Sequence, residues 1–190
     1  MEQPKNAFLM KHTEKEEFNQ YWYSSYTIEA LVKELCGCGA TKAAFLSTPS
    51  VFFSLPKGSD LRAASWVFDY DEQWARSEPH FCKYDFKAPD ALPAELRGAF
   101  DAVVIDPPFI THEVWELYAQ AAKMLLAPGG KVLASTVAEN APLMESLLGA
   151  KPCAFKPSIP HLVYQYNFFT SYEPTPEGLG AKNPEVPEDD

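Results

Sequence analysis

The sequence predicts an α/β fold in one domain, with a mostly parallel sheet covered by helices and closed by an antiparallel hairpin. First, short apolar runs of strand length alternate with segments of helical spacing, which is typical of a parallel sheet with helices on both faces. Second, the last two strand-like runs are separated by Pro157 and Pro160, with no room for a helix. Third, 190 residues, 46% of them hydrophobic, suit a single core.

The helices and strands follow in this order along the chain. Residues 15–23 predict a short helix, and residues 26–36 predict a longer one because Ile28, Leu31 and Leu35 share one helical face. A further helix is expected to begin at Pro49, where a hydroxyl residue precedes the proline. The remaining elements are strands at residues 43–46, 64–68, 80–84, 100–105 and 131–135, helices at 112–126 and 141–148, and a hairpin of 151–155 with 163–172.

Composition divides the chain into three parts. Residues 1–14 predict a flexible leader, residues 15–172 the folded domain, and residues 173–190, with four prolines and six acidic residues, a disordered tail. The net charge of −10 favours partners other than nucleic acid, although it leaves room for a local basic groove. The sequence has neither a membrane-spanning apolar run nor a secretory signal. We therefore expect a cytoplasmic monomer without membrane contact.

The four cysteines predict neither a disulfide framework nor a metal site. Cys36 and Cys38 form one close pair, but a structural zinc site needs about four ligands, usually as two close pairs. The sequence offers no second pair, and its histidines are scattered. Reduced thiols and no bound metal are the expectation.

Three successive strands end in an aspartate, namely Asp69, Asp85 and Asp106. Ligands of open α/β sheets bind at the carboxyl ends of the strands. Asp69 is positioned to accept hydrogen bonds from ribose hydroxyls, and Asp85 from an adenine amino group. Each aspartate alone is better explained as a cap of the following helix, but three in equivalent positions favour a nucleotide-like ligand.

The loop Asp106-Pro107-Pro108-Phe109 is the strongest indication of chemistry. Methyl transfer to nitrogen needs the lone pair in line with the bond that breaks, and the amine hydrogens must be held aside. The Asp106 carboxylate and the Pro107 carbonyl are suitable acceptors, and two prolines stiffen the loop that carries them. The ring of Phe109 would favour positive charge developing on nitrogen. The alternative is a simple turn from strand to helix.

The turn after the first strand lacks the glycines that dinucleotide-binding folds use to approach a pyrophosphate. Ser47 and Thr48 stand there instead, which argues against a nicotinamide-dependent dehydrogenase. Their hydroxyls are suited to a small carboxylate such as the methionine end of a cofactor, or only to helix capping. The aromatic cluster Gln20-Tyr21-Trp22-Tyr23-Ser24 is either a lid over a cofactor or packing at the edge of the core.

At these motifs the chain resembles the elongation factor 1-alpha lysine methyltransferases, a group long named after adenine-N6 DNA methylation because of the shared loop. Similar segments are Gln20–Ser24, Phe45–Val51, Phe68–Asp71, Tyr84–Phe86, Phe155–Pro157 and Asn167–Tyr172. The resemblance implies a Rossmann-like seven-stranded methyltransferase fold with S-adenosyl-L-methionine as donor and a lysine of a protein substrate as acceptor. It implies catalytic residues at Asp106, Pro107, Pro108 and Phe109, cofactor-binding residues at Trp22, Tyr23, Ser24, Ser47, Thr48, Asp69, Asp85 and Phe86, and substrate contacts at Phe109, Phe155 and Phe168.

The chain departs from the family pattern at several positions. Asp69 stands where a glutamate is usual, Phe109 where tyrosine is more common, and residues 158–162 differ at the hairpin turn. The acceptor lysine has a free pKa of about 10.4, so it must lose a proton before attack, which burial promotes. Asp106 is assigned to orienting the amine rather than to being the primary base. Two alternatives stay open: an adenine-N6 nucleic-acid methyltransferase and a non-catalytic interaction protein with the same fold.

Overall fold

A computed structural model describes residues 5–188 of the chain. Its strands are β1 (Ala43–Leu46), β2 (Trp66–Asp69), β3 (Phe81–Lys83), β4 (Phe100–Ile105), β5 (Leu126–Val137), β6 (Lys151–Pro152) and β7 (Tyr166–Thr170). Its α-helices are α1 (Ala7–Lys11), α2 (Ser25–Gly37), α3 (Pro49–Phe52), α4 (Asp60–Ala64), α5 (His112–Leu125) and α6 (Ala141–Leu148). Short 3₁₀ helices cover Glu16–Phe18, Glu72–Arg76, Pro89–Ala91, Ala94–Leu96 and Ala138–Asn140.

The seven strands form one sheet in the order β3-β2-β1-β4-β5-β7-β6. Strands β1 to β5 pair in parallel, β7 is antiparallel to β5, and β6 is antiparallel to β7. The predicted α/β fold with a mostly parallel sheet and a C-terminal antiparallel hairpin is therefore confirmed. The sheet order reverses at β1 and β4, which are neighbours, and ligands of such sheets bind at that switch point.

The core lies on both faces of the sheet, as alternation along β4 illustrates. Val103 and Ile105 face a cluster that includes Trp115 of α5, whereas Ala102 and Val104 face a second cluster built on α2. Because successive side chains of a strand point to opposite faces, a strand buried on both faces is apolar throughout, as its sequence indicates. In the part of the chain that the model describes, no helix is long and apolar enough to cross a membrane.

Several element boundaries differ from the predictions. The helix expected over residues 15–23 is reduced to the single turn Glu16–Phe18. Strand β2 begins at Trp66 because the two alanines before it end α4, and β6 has only two residues. Strand β5 begins earlier than expected, at Leu126, and the four residues after Leu126 bulge out of the ladder, since Leu126 pairs with Phe100 and Lys131 with Ala102.

The expected flexible leader is ordered over its described residues, 5–14; residues 1–4 lie outside the described chain. Asn6 caps α1 by accepting a hydrogen bond from the amide of Leu9 at 3.0 Å. Phe8 is buried and stacks with Phe53 at a ring-centroid distance of 6.0 Å. Polar composition misled the prediction because one buried aromatic ring and one cap are enough to hold this short helix on the domain.

The described part of the expected disordered tail, residues 173–188, also packs on the domain; residues 189–190 lie outside it. Leu179 is fully buried, and its carbonyl accepts from the amide of Phe155 at 3.1 Å. The Glu34 carboxylate of α2, itself fully buried, accepts from the amide of Thr175 at 2.9 and 3.2 Å. A buried carboxylate needs such a donor, which is why this proline-rich segment is ordered against α2.

Candidate active site

A cavity of about 360 Å³ opens at the carboxyl ends of β1 to β4. Ten of the fourteen residues predicted from the sequence line it: Trp22, Ser47, Thr48, Asp69, Asp85, Phe86, Asp106, Pro107, Pro108 and Phe109. The parallel strands bring these residues together because their carboxyl ends meet at one edge of the sheet. The volume lies within the range of pockets that hold small organic ligands.

Asp106 follows directly after β4 and is held from behind by a buried hydrogen-bond chain. The hydroxyl of Ser135 donates to Asp106 Oδ1 at 3.0 Å, and the hydroxyls of Tyr23 and Ser135 lie 2.5 Å apart. Burial raises the pKa of Asp106 to about 7, while the hydrogen bonds from Ser135 and Tyr23 act in the opposite direction. The carboxyl group therefore exchanges its proton near neutral pH.

The rest of the Asp106–Phe109 loop is held by contacts with neighbouring residues. Pro107 is buried, and the Pro108 carbonyl accepts a hydrogen bond from the side-chain amide of Asn19. The ring of Phe109 is 51% exposed and makes an edge contact with Phe86 at a centroid distance of 6.4 Å. The loop thus has a rigid base and an aromatic ring that stands at the mouth of the cavity.

The glycine-free turn after β1 adopts a backbone that glycine usually supplies. Ser47 has φ of +58°, a left-handed conformation that costs a residue with a side chain about 1 kcal/mol. The hydroxyls of Ser47 and Tyr118 lie 2.7 Å apart, and Thr48 donates to the Val104 carbonyl at 3.4 Å. Both hydroxyls line the cavity, but both are already engaged by the protein, and α3 is a single turn.

The acids after β2 and β3 lie in different environments. Asp69 is buried, its Oδ1 accepts from the amide of Asp71 at 2.8 Å, and burial raises its pKa to about 7. Asp85 is exposed and accepts from the amide of Lys87 at 3.0 Å. Between them on this wall, the buried hydroxyl of Tyr84 has no hydrogen-bond partner among residues 5–188. Tyr84 lines the cavity, but this oxygen is itself shielded from solvent, so its missing partner does not identify a ligand contact.

The aromatic segment before α2 contributes both to the core and to the cavity wall, since Tyr23 is buried whereas Gln20, Tyr21 and Trp22 line the cavity. Its role as a lid stays a prediction. The backbone amide of Trp22 donates to Glu14 at 2.8 Å, and its indole NH donates to the His12 carbonyl at 3.2 Å. The side-chain amide of Gln20 donates to Asp71 at 3.1 Å. The Nζ atom of Lys15 lies 3.1 Å from the same carboxylate. The contacts of Lys15 and Gln20 tie the residues before α2 to Asp71, in the loop after β2.

Four predicted site residues do not line the cavity. Tyr23 lies behind Asp106, as described above. Ser24 caps α2 by accepting from the amide of Thr27 at 3.1 Å, and its hydroxyl donates to Glu185 at 2.6 Å. Phe155 and Phe168 are buried in the core on the α2 side of the sheet. The substrate contacts expected of them stay a prediction. Motif similarity alone does not separate a residue at the cavity surface from one directly behind it.

The structure adds cavity residues that sequence reasoning missed. Asn19, Tyr118 and Tyr166 line the cavity, and Asp71 holds Lys15 and Gln20 of the segment before α2. Tyr118 shares the helical spacing of the buried face of α5, so its sequence context indicates core packing rather than a cavity position. Asp71 belongs to the Phe68–Asp71 segment that resembles the family pattern. Nothing in the sequence indicated that its hydrogen-bond partners, Lys15 and Gln20, lie some fifty residues earlier in the chain.

Comparison with known proteins identifies the family. Residues 14–174 match the family model described as "Probable N6-adenine methyltransferase". The chain belongs to this family. Its curated relatives include EEF1A lysine methyltransferase 1 from Danio rerio, 30% identical over 162 residues that cover 82% of this chain and 96% of the relative. The Bos taurus protein of the same name is 31% identical over 74% of this chain, and the match spans 63% of that relative's length. The resemblance to elongation factor 1-alpha lysine methyltransferases is thus confirmed.

Comparison with solved structures supports the same fold. The N-methyltransferase NodS from Bradyrhizobium japonicum WM9, in complex with S-adenosyl-l-homocysteine, superimposes with a TM-score of 0.51. The match covers 76% of this chain and 84% of NodS, at 12% identity. At that identity the likeness establishes the Rossmann-like methyltransferase fold of this family member and no more.

Proposed function

We propose that this chain is an S-adenosyl-L-methionine-dependent protein-lysine N-methyltransferase that acts on elongation factor 1-alpha. The observation that carries the proposal is that the Asp106–Phe109 loop closes the same cavity as the acids at the ends of β2 and β3. This shared cavity supports the proposal, because methyl transfer requires the amine and the nucleoside-bearing donor to meet in one site.

The nucleoside wall fits the proposed donor in size and in chemistry. Asp69 offers carboxylate oxygens at the end of β2, and Asp85 offers them one strand further along. Tyr84 and Phe86, on either side of Asp85 in the sequence, add aromatic rings to the lining of the same cavity. S-adenosyl-L-methionine, when bound, supplies a methyl group on a positively charged sulfur.

The loop handles the amine. The Asp106 carboxylate and the Pro107 carbonyl accept the hydrogens of the incoming nitrogen, so that its lone pair points at the methyl carbon. The lysine ammonium would first lose one proton to solvent; as the nitrogen–carbon bond formed, the carbon–sulfur bond of the donor would break and the sulfur would leave as a neutral thioether. The Asp106 carboxylate offers both oxygens as strong acceptors, whereas the protonated group keeps one weaker acceptor, so its pKa of about 7 favours activity at neutral or higher pH.

Charge favours a lysine over a nucleic acid as the acceptor. Four acids line the cavity, Glu17, Asp69, Asp85 and Asp106, against the single basic residue Lys87. A phosphate backbone needs the opposite balance, whereas an ammonium group is attracted to such a mouth. The names of the curated relatives support the same choice of substrate.

The test is transfer of labelled methyl from S-adenosyl-L-methionine to purified elongation factor 1-alpha, with the modified residue located by mass spectrometry. Asp106→Asn is expected to lose at least a hundredfold in kcat/KM, and Asp60→Asn, an exposed acid of α4 outside the cavity, is expected to behave as wild type. A parallel reaction contains adenine-bearing oligonucleotides. Label on the oligonucleotide and none on the protein would establish the adenine-N6 alternative instead.

A further inference from the structure

Exposed apolar side chains concentrate at the mouth of the cavity. Among residues 5–188, the large hydrophobic residues with substantial exposure are Met10, Tyr21, Tyr26, Tyr70, Phe109, Val163 and Tyr164. Tyr21, Tyr70 and Phe109 line the cavity itself. Val163 and Tyr164, exposed by 93% and 65%, stand between two further lining residues, Leu162 and Tyr166. Exposed apolar side chains grouped around a site are typical of a protein interface.

The loop that carries Val163 and Tyr164 is held in place by hydrogen bonds at its base. The Gln165 side chain donates to the Pro157 carbonyl at 2.9 Å, and the Ser24 amide donates to the Ser158 carbonyl at 2.8 Å. The Leu162 amide donates to the Ile159 carbonyl at 3.0 Å. The two apolar side chains are therefore displayed on a fixed turn, which lowers the ordering cost of binding a partner.

The charge around this apolar surface selects the kind of partner. Glu17 and Asp85 are exposed acids that line the mouth, and Lys87 is the one basic residue among the lining side chains. The Lys15 ammonium, close to the same segment, is already paired with Asp71 at 3.1 Å. A partner that presents positive charge next to apolar side chains complements this surface, and one that presents phosphates does not.

We propose that Tyr21, Val163 and Tyr164, with Glu17 beside them, form a docking surface for the folded protein substrate around its acceptor lysine. The surface recognises apolar side chains flanking a positively charged segment, and it is separate from the wall that receives the nucleoside. This inference rests on the proposed function, because it assigns the protein-binding part of that same site.

The test compares Val163→Ser/Tyr164→Ser with Met10→Ser, which makes the same kind of change at an exposed position away from the lining residues. The probes are intact elongation factor 1-alpha and S-adenosyl-L-methionine. The double variant is expected to raise KM for the protein about tenfold while leaving kcat and cofactor affinity unchanged, and Met10→Ser is expected to match wild type. An unchanged KM in the double variant, with active wild-type enzyme, would overturn this inference alone.

A charge reversal provides a second measurement that does not depend on apolar contacts. Glu17→Lys is expected to raise KM for elongation factor 1-alpha more at low than at high ionic strength, because the lost attraction is screened by salt. Glu29→Lys, on the exposed face of α2, is its control. Equal effects of the two reversals would count against the docking surface. Wild-type enzyme that leaves the elongation factor unmethylated would overturn the proposed function, and this inference with it.

Discussion

Removing the Tyr23 hydroxyl tests whether the hydrogen-bond chain behind Asp106 lowers the pKa of the carboxylate proposed to orient the amine. In Tyr23→Phe the ring remains packed against Phe168, at 5.7 Å between centroids, but the 2.5 Å contact with Ser135 is lost. A hydrogen bond in such a network contributes roughly 1–2 kcal/mol, so we expect kcat/KM at pH 7 to fall about tenfold. The donors stabilise the charged carboxylate, and their loss therefore raises the pKa of Asp106 further.

The measurement is the pH dependence of kcat/KM for methylation of elongation factor 1-alpha. Activity requires the carboxylate, so a higher pKa moves the acidic limb of the profile to higher pH and the deficit shrinks as the pH rises. Tyr26→Phe, a partly exposed tyrosine outside the cavity lining, is the matched control and is expected to overlay wild type. A Tyr23→Phe profile of unchanged shape, lowered equally at every pH, would refute the role assigned to the chain of hydroxyls.

Two further predictions concern the buried acids. Asp69→Asn keeps the acceptor for the Asp71 amide but loses the charge; cofactor Kd measured by calorimetry should rise about tenfold with kcat at saturation little changed, and an equal Kd would remove Asp69 from the cofactor site. Burial raises the pKa of Asp106 from 3.8 to about 7, so the folded state favours its neutral form. That contribution is complete below about pH 4 and is lost as the pH rises through 7. The free energy of unfolding of ligand-free wild type, measured by denaturant titration, should therefore fall relative to that of Asp106→Asn between pH 4 and 8. The full pKa difference implies ~4 kcal/mol, and residual exposure of Asp106 to the cavity reduces the expected fall to about 2 kcal/mol. The same pH dependence of the free energy of unfolding in both proteins would contradict the raised pKa.

The sequence was sufficient for the sheet and for the floor of the site. Apolar runs that end in aspartate predicted β2 and β4 and placed Asp69 and Asp106 at the same edge, because parallel strands leave few other arrangements. The sequence was insufficient wherever two hydrogen-bonded residues lie far apart along the chain. Asn19 reaches the Pro108 carbonyl, and Gln20 reaches Asp71, through contacts that no local pattern encodes. Periodicity reports which face of an element is apolar, not which distant side chain meets it.

The packing of residues 173–188 has a practical consequence for anyone who trims this protein. A truncation at Tyr172, where composition places the edge of the domain, would remove Leu179 from the α2 side of the core and uncover the apolar surface beneath it. The same cut would leave the interior carboxylate of Glu34 without the Thr175 amide that now satisfies it. Shortened versions made for crystals or assays should therefore retain this C-terminal strap, since its loss would weaken α2, the helix that follows directly from Tyr23.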